Sequence, residues 1–568
     1  MDKTVGVLGG GQLGRMLVEA ANLLEIKVVF VDAAGSSAKQ VSNHGDHIDG
    51  SFKDSEAVKQ LAAKSDVVTI EIEHVNTEIL EQIADKTDVQ PHWKTIRTIQ
   101  DKYLQKELLK SNDVAIAQSL PLASATIEEL RKASDALGLP LMLKSRKEAY
   151  DGKGNFPVKT REDFKAALEA LGGNKALYAE KWADFRMELA VMVVKTKEQV
   201  LSFPTVETIH ENSICKLTYA PARGVSGTIN NNAQELARKA VACFEGKGVF
   251  GVEMFLLEDD TLLINEIAPR PHNSGHYTIE ACSVSQYEAH LRAILDLPLH
   301  AEDLQLREPA IMLNILGGDA PDSHRKFAAE ALKHRRTKIH LYGKGQARKG
   351  RKMGHITVCA PTMAEGETLI QPMIDYVDKD KPKTATDSSS KPKEQPLVAV
   401  VMGSDSDLPI LQPGLAILGK FSIPHTVRIT SAHRTPSWMA EYASSAASQG
   451  LKCIIAAAGG AAHLPGMTAA YTSLPVIGVP VKPTIGDGTD SLLSICNMPK
   501  GVPVATVSVN NSTNAALLAA RILGSSDATI RGRVEQYMRD SEKEVREKDR
   551  RLEGIGAETY AETYLANK

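Results

Sequence analysis

Two glutamates thirteen positions apart are the residues of this sequence best suited to hold a metal ion. Glu253 lies in the apolar run 251–255, Glu266 follows the apolar run 262–264, and an acidic turn at 258–260 separates the runs. This pattern predicts a β-hairpin with the two carboxylates facing each other across the strands. Facing carboxylates repel unless a cation neutralises them, and hard oxygens suit Mg²⁺ that holds phosphates. The alternative is a pair of solvated hairpin carboxylates.

Further polar residues follow this predicted hairpin at once. Asn265 places a neutral oxygen beside Glu266, and Arg270 precedes the polar run His272–His276. An ordinary turn does not need this concentration of polar groups. The stretch 262–277 is therefore the strongest candidate for a catalytic site.

Composition limits the class of protein before any motif is considered. The chain has 568 residues, enough for about four domains of ~150 residues each. Its net charge of −3 and 24% charged residues give no reason to expect nucleic-acid or membrane-surface binding. Six cysteines without CxxC spacing and the absence of a basic leader predict a cytoplasmic protein. The uncharged stretch 453–481 is broken by prolines and glycines, so it does not predict a membrane helix.

Residues 1–118 have the pattern of a Rossmann-like domain. A strand at 4–8 leads into Gly9–Gly14, which fits GxGxxG, and Asp32 follows the next strand. Two interpretations stay open: a dinucleotide site, and glycines that only permit a tight strand–helix junction. The strand 67–72 ends in Glu71, Glu73 and His74.

Residues 119–304 predict an antiparallel domain with a phosphate-binding loop. The strand 140–144 carries Lys144, and the glycine-containing cationic loop 145–154 is suited to close over phosphates. Further strands at 178–181, 191–194 and 214–217 are predicted to form one antiparallel layer.

Three more segments complete the predicted organisation. Residues 305–377 form a small β-rich domain whose glycine-spaced basic run, 344–352, indicates either an anion-holding loop or a solvated face. Residues 378–396 contain no large apolar side chain and are a flexible linker. Residues 397–568 alternate strands and helices, which predicts a doubly wound parallel sheet of flavodoxin-like type with a charged final helix, 527–550, outside the core.

Six motifs connect these segments to known families. GGGQLGRM, YDGKG and NEIAPRPHNSGH resemble the ATP-grasp carboxylate–amine ligases, most of all the synthetase that carboxylates aminoimidazole ribonucleotide. GSDSD, SAHRTP and AGGAAHLPGM resemble the mutase that moves the carboxyl group to ring carbon. A chain that carries both sets of motifs resembles the fungal bifunctional phosphoribosylaminoimidazole carboxylases of purine biosynthesis. The resemblance implies an α/β multidomain fold: a Rossmann-like pre-ATP-grasp domain, an ATP-grasp domain, a small β-rich domain, a linker and the mutase domain.

The resemblance also implies roles for individual residues of the first 377. Mg²⁺ would bind Glu253 and Glu266, and Arg270 would stabilise the carboxyphosphate made from ATP and bicarbonate. The ribonucleotide would bind Tyr150, Asp151, Lys344 and Arg351. ATP would bind Arg97, Lys144, Lys153, Glu180, Lys181, Trp182, Ala183, Glu188, His210 and Asn265. In this family the glycine turn serves the substrate side and carries no NAD.

In the mutase half, the resemblance gives the phosphate to Ser404, Ser431 and Arg434 and the ribose to Asp407. His433 would move the proton, unless it is only another phosphate contact. His463 is either a substrate contact or a structural histidine.

The implied partners are small molecules and further copies of the chain, with an octamer formed through the C-terminal domain. Neither nucleic acid nor membrane is expected as a partner. Two competing functions stay open: a nicotinamide oxidoreductase, which rests on GGGQLG alone, and a nucleotide sensor without catalysis.

Overall fold

The computed structural model describes residues 2–147, 154–173, 176–211, 213–378, 396–447 and 449–565. The chain divides into two compact units, Met1–Lys381 and Pro382–Lys568. Nearly all of the predicted linker, 378–396, lies outside the described residues, so its role stays a prediction, as do the domain boundaries. Within the described residues, no helix is both long and apolar enough to span a membrane.

The first unit begins with a parallel five-stranded sheet. Its strands are β1 (Thr4–Leu8), β2 (Lys27–Asp32), β3 (Ile48–Asp49), β4 (Val67–Ile70) and β5 (Asp88–Val89), and its helices are α1 (Gln12–Leu23), α2 (Ser55–Ala63), α3 (Thr77–Ile83), α4 (Trp93–Gln100) and α5 (Lys102–Ser111). The strand order is β3-β2-β1-β4-β5. Val28 and Phe30 of β2 pack on one face and Val29 and Val31 on the other, which explains the continuous apolar runs. The Rossmann-like prediction is confirmed.

A small antiparallel sheet follows. It consists of β6 (Ser119–Pro121), β7 (Leu141–Ser145), β8 (Asn155–Val158) and β9 (Leu177–Lys181), covered by α6 (Ile127–Leu137) and α7 (Phe164–Leu171). The strand order is β6-β9-β7-β8. Leu141 and Leu143 of β7 and Leu177 and Ala179 of β9 pack into one core with both helices. The alternate residues of these strands, Lys144 and Glu180 included, therefore lie on the opposite face of the sheet.

The largest sheet of the first unit has nine antiparallel strands. They are β10 (Phe185–Lys195), β11 (Val200–Ser202), β12 (Val206–Glu211), β13 (Ile214–Ala220), β14 (Gly248–Leu257), β15 (Leu262–Ala268), β16 (Ala310–Leu316), β17 (Thr337–Leu341) and β18 (Lys352–Cys359). The order is β15-β14-β10-β12-β13-β16-β18-β17, with β11 paired to β10. The associated helices are α8 (Gly227–Ala242), α9 (Thr278–Ala281), α10 (Gln286–Ile294), α11 (Ser323–Ala331) and α12 (Met363–Asp378).

Two sequence-based expectations about these sheets need revision. The prediction of one antiparallel layer is wrong, because β9 belongs to the four-stranded sheet while 191–194 and 214–217 lie in the nine-stranded one. Residues 182–184 carry the chain from one sheet to the other. The strands of the segment 305–377 continue the nine-stranded sheet through the pairing of β16 with β13.

The second unit is a parallel five-stranded sheet with helices between the strands. The strands are β19 (Val398–Met402), β20 (His425–Ile429), β21 (Cys453–Gly459), β22 (Val476–Val481) and β23 (Ala505–Thr506), and the helices are α13 (Leu408–Lys420), α14 (Pro436–Ser445), α15 (His463–Tyr471), α16 (Thr489–Cys496), α17 (Ser512–Gly524), α18 (Ala528–Ile555) and α19 (Ala557–Tyr564). The order β20-β19-β21-β22-β23 confirms the flavodoxin-like prediction. The final charged helix is predicted to lie outside the core, but Ile530 and Val534 near the start of α18 are buried in the core.

Helices α13 and α17 meet at a glycine. The N–H of Gly414 donates to the hydroxyl of Ser512 at 3.1 Å, and that hydroxyl donates to the carbonyl of Ile410 at 2.6 Å. The hydroxyl of Ser512 in α17 thus lies between the N–H of Gly414 and the carbonyl of Ile410, the i to i−4 pair of α13. A Cβ added at Gly414 would lie 2.6 Å from the carbonyl oxygen of Ser512.

We therefore expect Gly414→Ala to lower the free energy of unfolding by about 1–3 kcal/mol through overpacking. The matched control is Gly419→Ala in the same helix, where an added Cβ meets nothing within 4 Å. The control should be neutral or stabilising by up to ~1 kcal/mol. Urea unfolding of the two variants and the parent compares them, and equal midpoints for Gly414→Ala and the parent would contradict this account of the helix contact.

Candidate active sites

The two metal-ligand candidates face each other as the sequence predicts. Glu253 of β14 and Glu266 of β15 are partners in the strand register, which shifts immediately beside Glu253. Asn265 is the extra residue of this β-bulge. Ile264 and Ile267 pack in the same core although they are three positions apart. Asn265 and Glu266 therefore share the face opposite that core, where Glu253 also lies, and three oxygen-bearing side chains are collected.

Burial and charge make the two carboxylates unequal. Burial, and then repulsion by Glu266, raise the pKa of Glu253. Burial also acts to raise the pKa of Glu266, but the ammonium of Lys102 at 3.1 Å outweighs it and holds that pKa below its ordinary value. His272 lies 3.8 Å from Glu253, yet burial and the nearby Arg270 lower its pKa to about 3, so it is neutral near pH 7. A cation bound at this pair would relieve the repulsion.

Glu188 and His210 lie on the same face of the nine-stranded sheet. Ala190 of β10 pairs with Glu253, so Glu188, two positions earlier, points to the same side. The Oε2 atom of Glu188 is hydrogen-bonded to Nδ1 of His210 on β12. Burial acts to lower the pKa of His210, but this contact with the carboxylate raises it above its ordinary value. The carboxylate of Glu188 therefore favours the protonated imidazole of His210 beside the metal-ligand pair.

A cationic pocket forms around Glu180 at the end of β9. Its Oε1 atom accepts from Nζ of Lys144 at 2.6 Å, and its Oε2 atom lies 3.0 Å from Nζ of Lys106. Lys106 is only 2% exposed and also donates to the carbonyl of Ile264 at 3.0 Å. The cluster thus joins the small sheet to β15. Two ammonium groups on one carboxylate leave a positive balance that suits a phosphate.

Arg270 is fixed by a bidentate ion pair. Its Nε and Nη2 atoms lie 2.6 and 3.1 Å from the two oxygens of Glu73, which follows β4. Burial acts to raise the pKa of Glu73, but Arg270 holds it well below its ordinary range. Lys102 adds a further positive charge to this pair. The pair positions the guanidinium between the parallel sheet and the end of β15.

The glycine turn of the first domain already carries its own anion. The carboxylate of Glu71 accepts hydrogen bonds from the N–H groups of Gly11 and, at 3.0 Å, of Leu13. The N–H of Gly10 donates to Asp32 at 2.6 Å. These N–H groups at the start of α1 are the ones that a dinucleotide pyrophosphate would need. The geometry therefore argues against the nicotinamide alternative.

The remaining predicted residues of the first unit are less closely connected. Nζ of Lys344 donates to Oε1 of Gln12 in the glycine turn at 2.6 Å, which joins the basic run to that turn. Arg97 contacts Thr77 and Glu81 and does not contact the hairpin. Lys181, Trp182 and Arg351 are exposed, and Ala183 is half-buried. Tyr150, Asp151 and Lys153 lie outside the described residues. The roles predicted for all of these stay predictions.

Sequence reasoning missed Lys102, Lys106 and the pairing of Glu73 with Arg270. Lysines on a helix predict a solvated surface, and nothing in their spacing indicates burial against a carboxylate of another sheet. The acidic end of β4 was a signal for Glu73, since ligands bind at that edge of parallel sheets.

In the second unit, three loops meet at the carboxyl edge of the parallel sheet. Arg434 donates from its backbone N–H to the hydroxyl of Ser431 at 3.2 Å and from Nη2 to the carbonyl of Gly403 at 2.7 Å. This joins the loop after β20 to the loop after β19, in which Ser404 lies. Burial raises the pKa of Asp407 in the same loop. The arrangement collects hydroxyl and guanidinium groups that suit a phosphate monoester.

The two histidines of this unit are in direct contact. Nε2 of His433 lies 2.7 Å from Nδ1 of His463, and both side chains are exposed. The strands β20 and β21 that precede them are separated by β19 in the sheet. A cavity of about 680 Å³ opens beside His463. Its lining is Gly460, Ala461, His463, Pro483, Ile485, Asp490, Leu493, Ser494 and Asn497. The sequence did not predict α16, so the lining residues that this helix contributes to the cavity were missed.

Family models cover almost the whole chain. The matches are a ribonucleotide synthetase preATP-grasp domain at residues 1–100, an ATP-grasp domain at 107–287, a phosphoribosylaminoimidazole carboxylase C-terminal domain at 310–368 and AIR carboxylase at 397–544. These matches confirm the α/β multidomain fold predicted from the motifs.

Full-length relatives and solved structures agree with the family models. The phosphoribosylaminoimidazole carboxylase of Candida albicans is 52% identical over 566 residues, which are 98% of this chain and 98% of the relative. That of Saccharomyces cerevisiae is 51% identical, with 99% of each chain covered. The carboxyaminoimidazole ribonucleotide synthase of Aspergillus clavatus, solved with ATP, is 62% identical, with a TM-score of 0.65, and covers 66% of this chain and 98% of its own.

A second structure of the Aspergillus clavatus protein, solved with ADP and 5-aminoimidazole ribonucleotide, is 61% identical to this chain, with the same TM-score and coverage of 66% and 99%. Both solved structures match at the ATP-grasp half, and the curated relatives match end to end. The chain therefore belongs to the phosphoribosylaminoimidazole carboxylase family, and it is an enzyme of purine biosynthesis that carries an ATP-grasp ligase half and an AIR carboxylase half.

Proposed function

We propose that the first unit uses ATP and bicarbonate to carboxylate the exocyclic nitrogen of 5-aminoimidazole ribonucleotide, and that the second unit transfers the carboxyl group to C4. The observation that carries the proposal is the in-register pair Glu253 and Glu266, with Asn265 turned to the same face by the bulge. Arg270, fixed at the end of the same hairpin by Glu73, adds a cation where a transferred phosphoryl group needs one.

Glu253 and Glu266 would hold Mg²⁺ with the help of Asn265, and the fit rests on the raised pKa of Glu253. Bound there, Mg²⁺ would neutralise charge on the phosphates of ATP. Lys144 supplies an ammonium group at the rim of the cationic pocket, and Glu188 with His210 lies beside the carboxylates. We assign the adenine and ribose contacts to Glu180–Ala183 and Glu188, and further phosphate contacts to Lys153 and Arg97.

Bicarbonate is a poor electrophile, so it has to be activated before the amine attacks. Transfer of the γ-phosphoryl group to a bicarbonate oxygen gives carboxyphosphate and ADP. The amine then attacks the carboxyl carbon, phosphate leaves, and the nitrogen loses a proton. Arg270 stabilises the dianionic intermediate, and its bidentate pair with Glu73 keeps the guanidinium preorganised. Lys344, Arg351, Tyr150 and Asp151 would hold the ribonucleotide.

In the second unit, Ser404, Ser431 and Arg434 would hold the 5′-phosphate and Asp407 the ribose. The N-carboxy group leaves as CO₂, and the exocyclic nitrogen gains a proton. C4 of the electron-rich ring then attacks the retained CO₂ and loses a proton. One proton is gained and one is lost, so a single imidazole suffices, and we assign this role to His433. Nδ1 of His463 lies 2.7 Å from Nε2 of His433, and His463 would position the ring of His433.

We also propose that the enzyme is a cytoplasmic homo-oligomer, an octamer through its C-terminal half. All six cysteines are free thiols, which is in keeping with a reducing compartment. The half-exposed side chains Ile429 and Trp438 of the second unit offer apolar area for subunit contacts. Light scattering of the full chain measures the subunit number directly.

We expect Glu266→Gln to abolish ADP formation that depends on the ribonucleotide, because a charged ligand of the Mg–ATP site is lost at a cost of several kcal/mol in the transition state. Coupled measurement of ADP checks this. The same variant should still convert supplied N-carboxy intermediate, because the second unit is unchanged.

The matched control is Glu258→Gln, an exposed carboxylate in the turn of the same hairpin, which should retain normal ADP formation. Normal ADP formation in Glu266→Gln would remove Glu266 from the metal site.

We expect His433→Asn to bind the ribonucleotide with near-normal affinity and to lose roughly two to four orders of magnitude in carboxyl transfer to C4. The amide keeps a hydrogen-bonding group but cannot carry a proton between the nitrogen and C4. Calorimetric titration beside a mutase assay on the full chain measures both quantities. ADP formation by the first unit should continue.

His425→Asn is the control, because His425 begins β20, at the end of the strand that lies away from the site loops. Among the described residues, its side chain is hydrogen-bonded to the carbonyl of Ile423 alone. It should retain carboxyl transfer. If His433→Asn loses binding and turnover in proportion, the histidine is a phosphate contact.

A further inference from the structure

A second group of potential metal ligands lies in the first unit, away from the carboxylate pair. Glu280 of α9, His340 of β17 and His355 of β18 each place one ligand atom within 4.8 Å of the others. His340 and His355 are partners in the strand register, and their rings are stacked at 4.5 Å. Nε2 of His340 lies 2.7 Å from Oε1 of Glu280. One helix and two adjacent strands therefore bring two imidazoles and a carboxylate together.

Two atoms of this group are buried without a hydrogen-bond partner among the described residues. The ring of His355 is 0% exposed, and its Nε2 atom is unpaired. Its Nδ1 atom is 2.9 Å from the hydroxyl of Tyr342. The Oε2 atom of Glu280 is likewise buried and unpaired. Leaving buried polar atoms unpaired is unfavourable, so their convergence in one cluster calls for a ligand that would satisfy both.

The hydrogen bonding of His355 suits a metal ion. An unpaired buried N–H is rarer than an unpaired acceptor, which favours a proton on Nδ1, donated to Tyr342, and a lone pair on Nε2. A metal-binding histidine usually donates the N–H of its other ring nitrogen to a neighbouring group in this way.

We propose that Glu280, His340 and His355 bind a divalent transition-metal ion, of which Zn²⁺ fits best. Two imidazoles and one carboxylate are a ligand set of zinc, with a fourth position left for water, whereas Mg²⁺ prefers oxygen ligands alone. A cavity of about 360 Å³ lies beside this group and is lined in part by His340 and Tyr342. The ion would tie α9, which follows the segment with Arg270, to the edge strand β17 and its neighbour β18.

The test is a calorimetric titration of the chelator-washed full-length protein with Zn²⁺ in excess Mg²⁺. We expect one ion per chain that Mg²⁺ does not displace. Glu280→Gln and His340→Gln should each weaken binding by about a hundredfold or more, and Tyr342→Phe by about tenfold. His44→Gln, an exposed histidine outside the cluster, should bind as the parent does. Co²⁺ as a second probe should give a visible absorption band in the parent, and the band should be lost in the two ligand variants.

Urea unfolding of the metal-free variants separates lost ligands from lost structure. Both substitutions are at half-buried positions, and glutamine preserves most of the volume, so the variants should unfold at a urea concentration close to that of the metal-free parent. Absence of Zn²⁺ binding by the parent would overturn the proposal. Equal affinity and an unchanged Co²⁺ band in both folded ligand variants would do the same.

Discussion

Repulsion between two carboxylates held at fixed register is the interaction on which the first unit depends. Glu253 and Glu266 cannot move apart, because they are partners in adjacent strands whose other face is packed in an apolar core. The protein relieves part of the repulsion with Lys102, which contacts Glu266, and leaves the pKa of Glu253 raised. A cation bound at the proposed site would find its ligands already in place, and its free energy of binding would include relief of the repulsion.

The charges around this pair also connect the sheets of the unit. Glu73 follows the parallel sheet and holds Arg270, and Glu180 ends a strand of the small sheet and meets Lys106, which donates to β15. These ion pairs are mostly buried, so removing one partner leaves an uncompensated charge. Arg270 and Glu180, which we propose to act in the site, are therefore also contacts between the sheets. A substitution at such a position affects activity and stability together, which is why matched controls within the same element are needed.

The parts of the fold that local patterns encode could be predicted from the sequence, and the contacts between distant elements could not. The hairpin of Glu253 and Glu266 follows from two apolar runs and an acidic turn, and the parallel sheet of the second unit from regular alternation. The bulge at Asn265 left no pattern that distinguishes it from regular pairing. Lys106 looked like a surface lysine, and the meeting of His433 with His463 depends on strands that are not neighbours in the sheet. The sequence did not predict β18, which carries His355, because the strand begins at the end of the basic run.

The carboxylate of Glu71 beneath the glycine turn has a consequence for the interpretation of other sequences. Its contacts with Gly11 and Leu13 occupy the start of α1 with a charge from the chain itself. A glycine fingerprint is self-capped where an acidic residue follows the strand on the other side of β1, as Glu71 follows β4, because N–H groups that a dinucleotide pyrophosphate would need are already engaged. The residue sixty positions downstream decides the meaning of the motif. A neutral residue in its place would turn the same backbone into a vacant anion receptor.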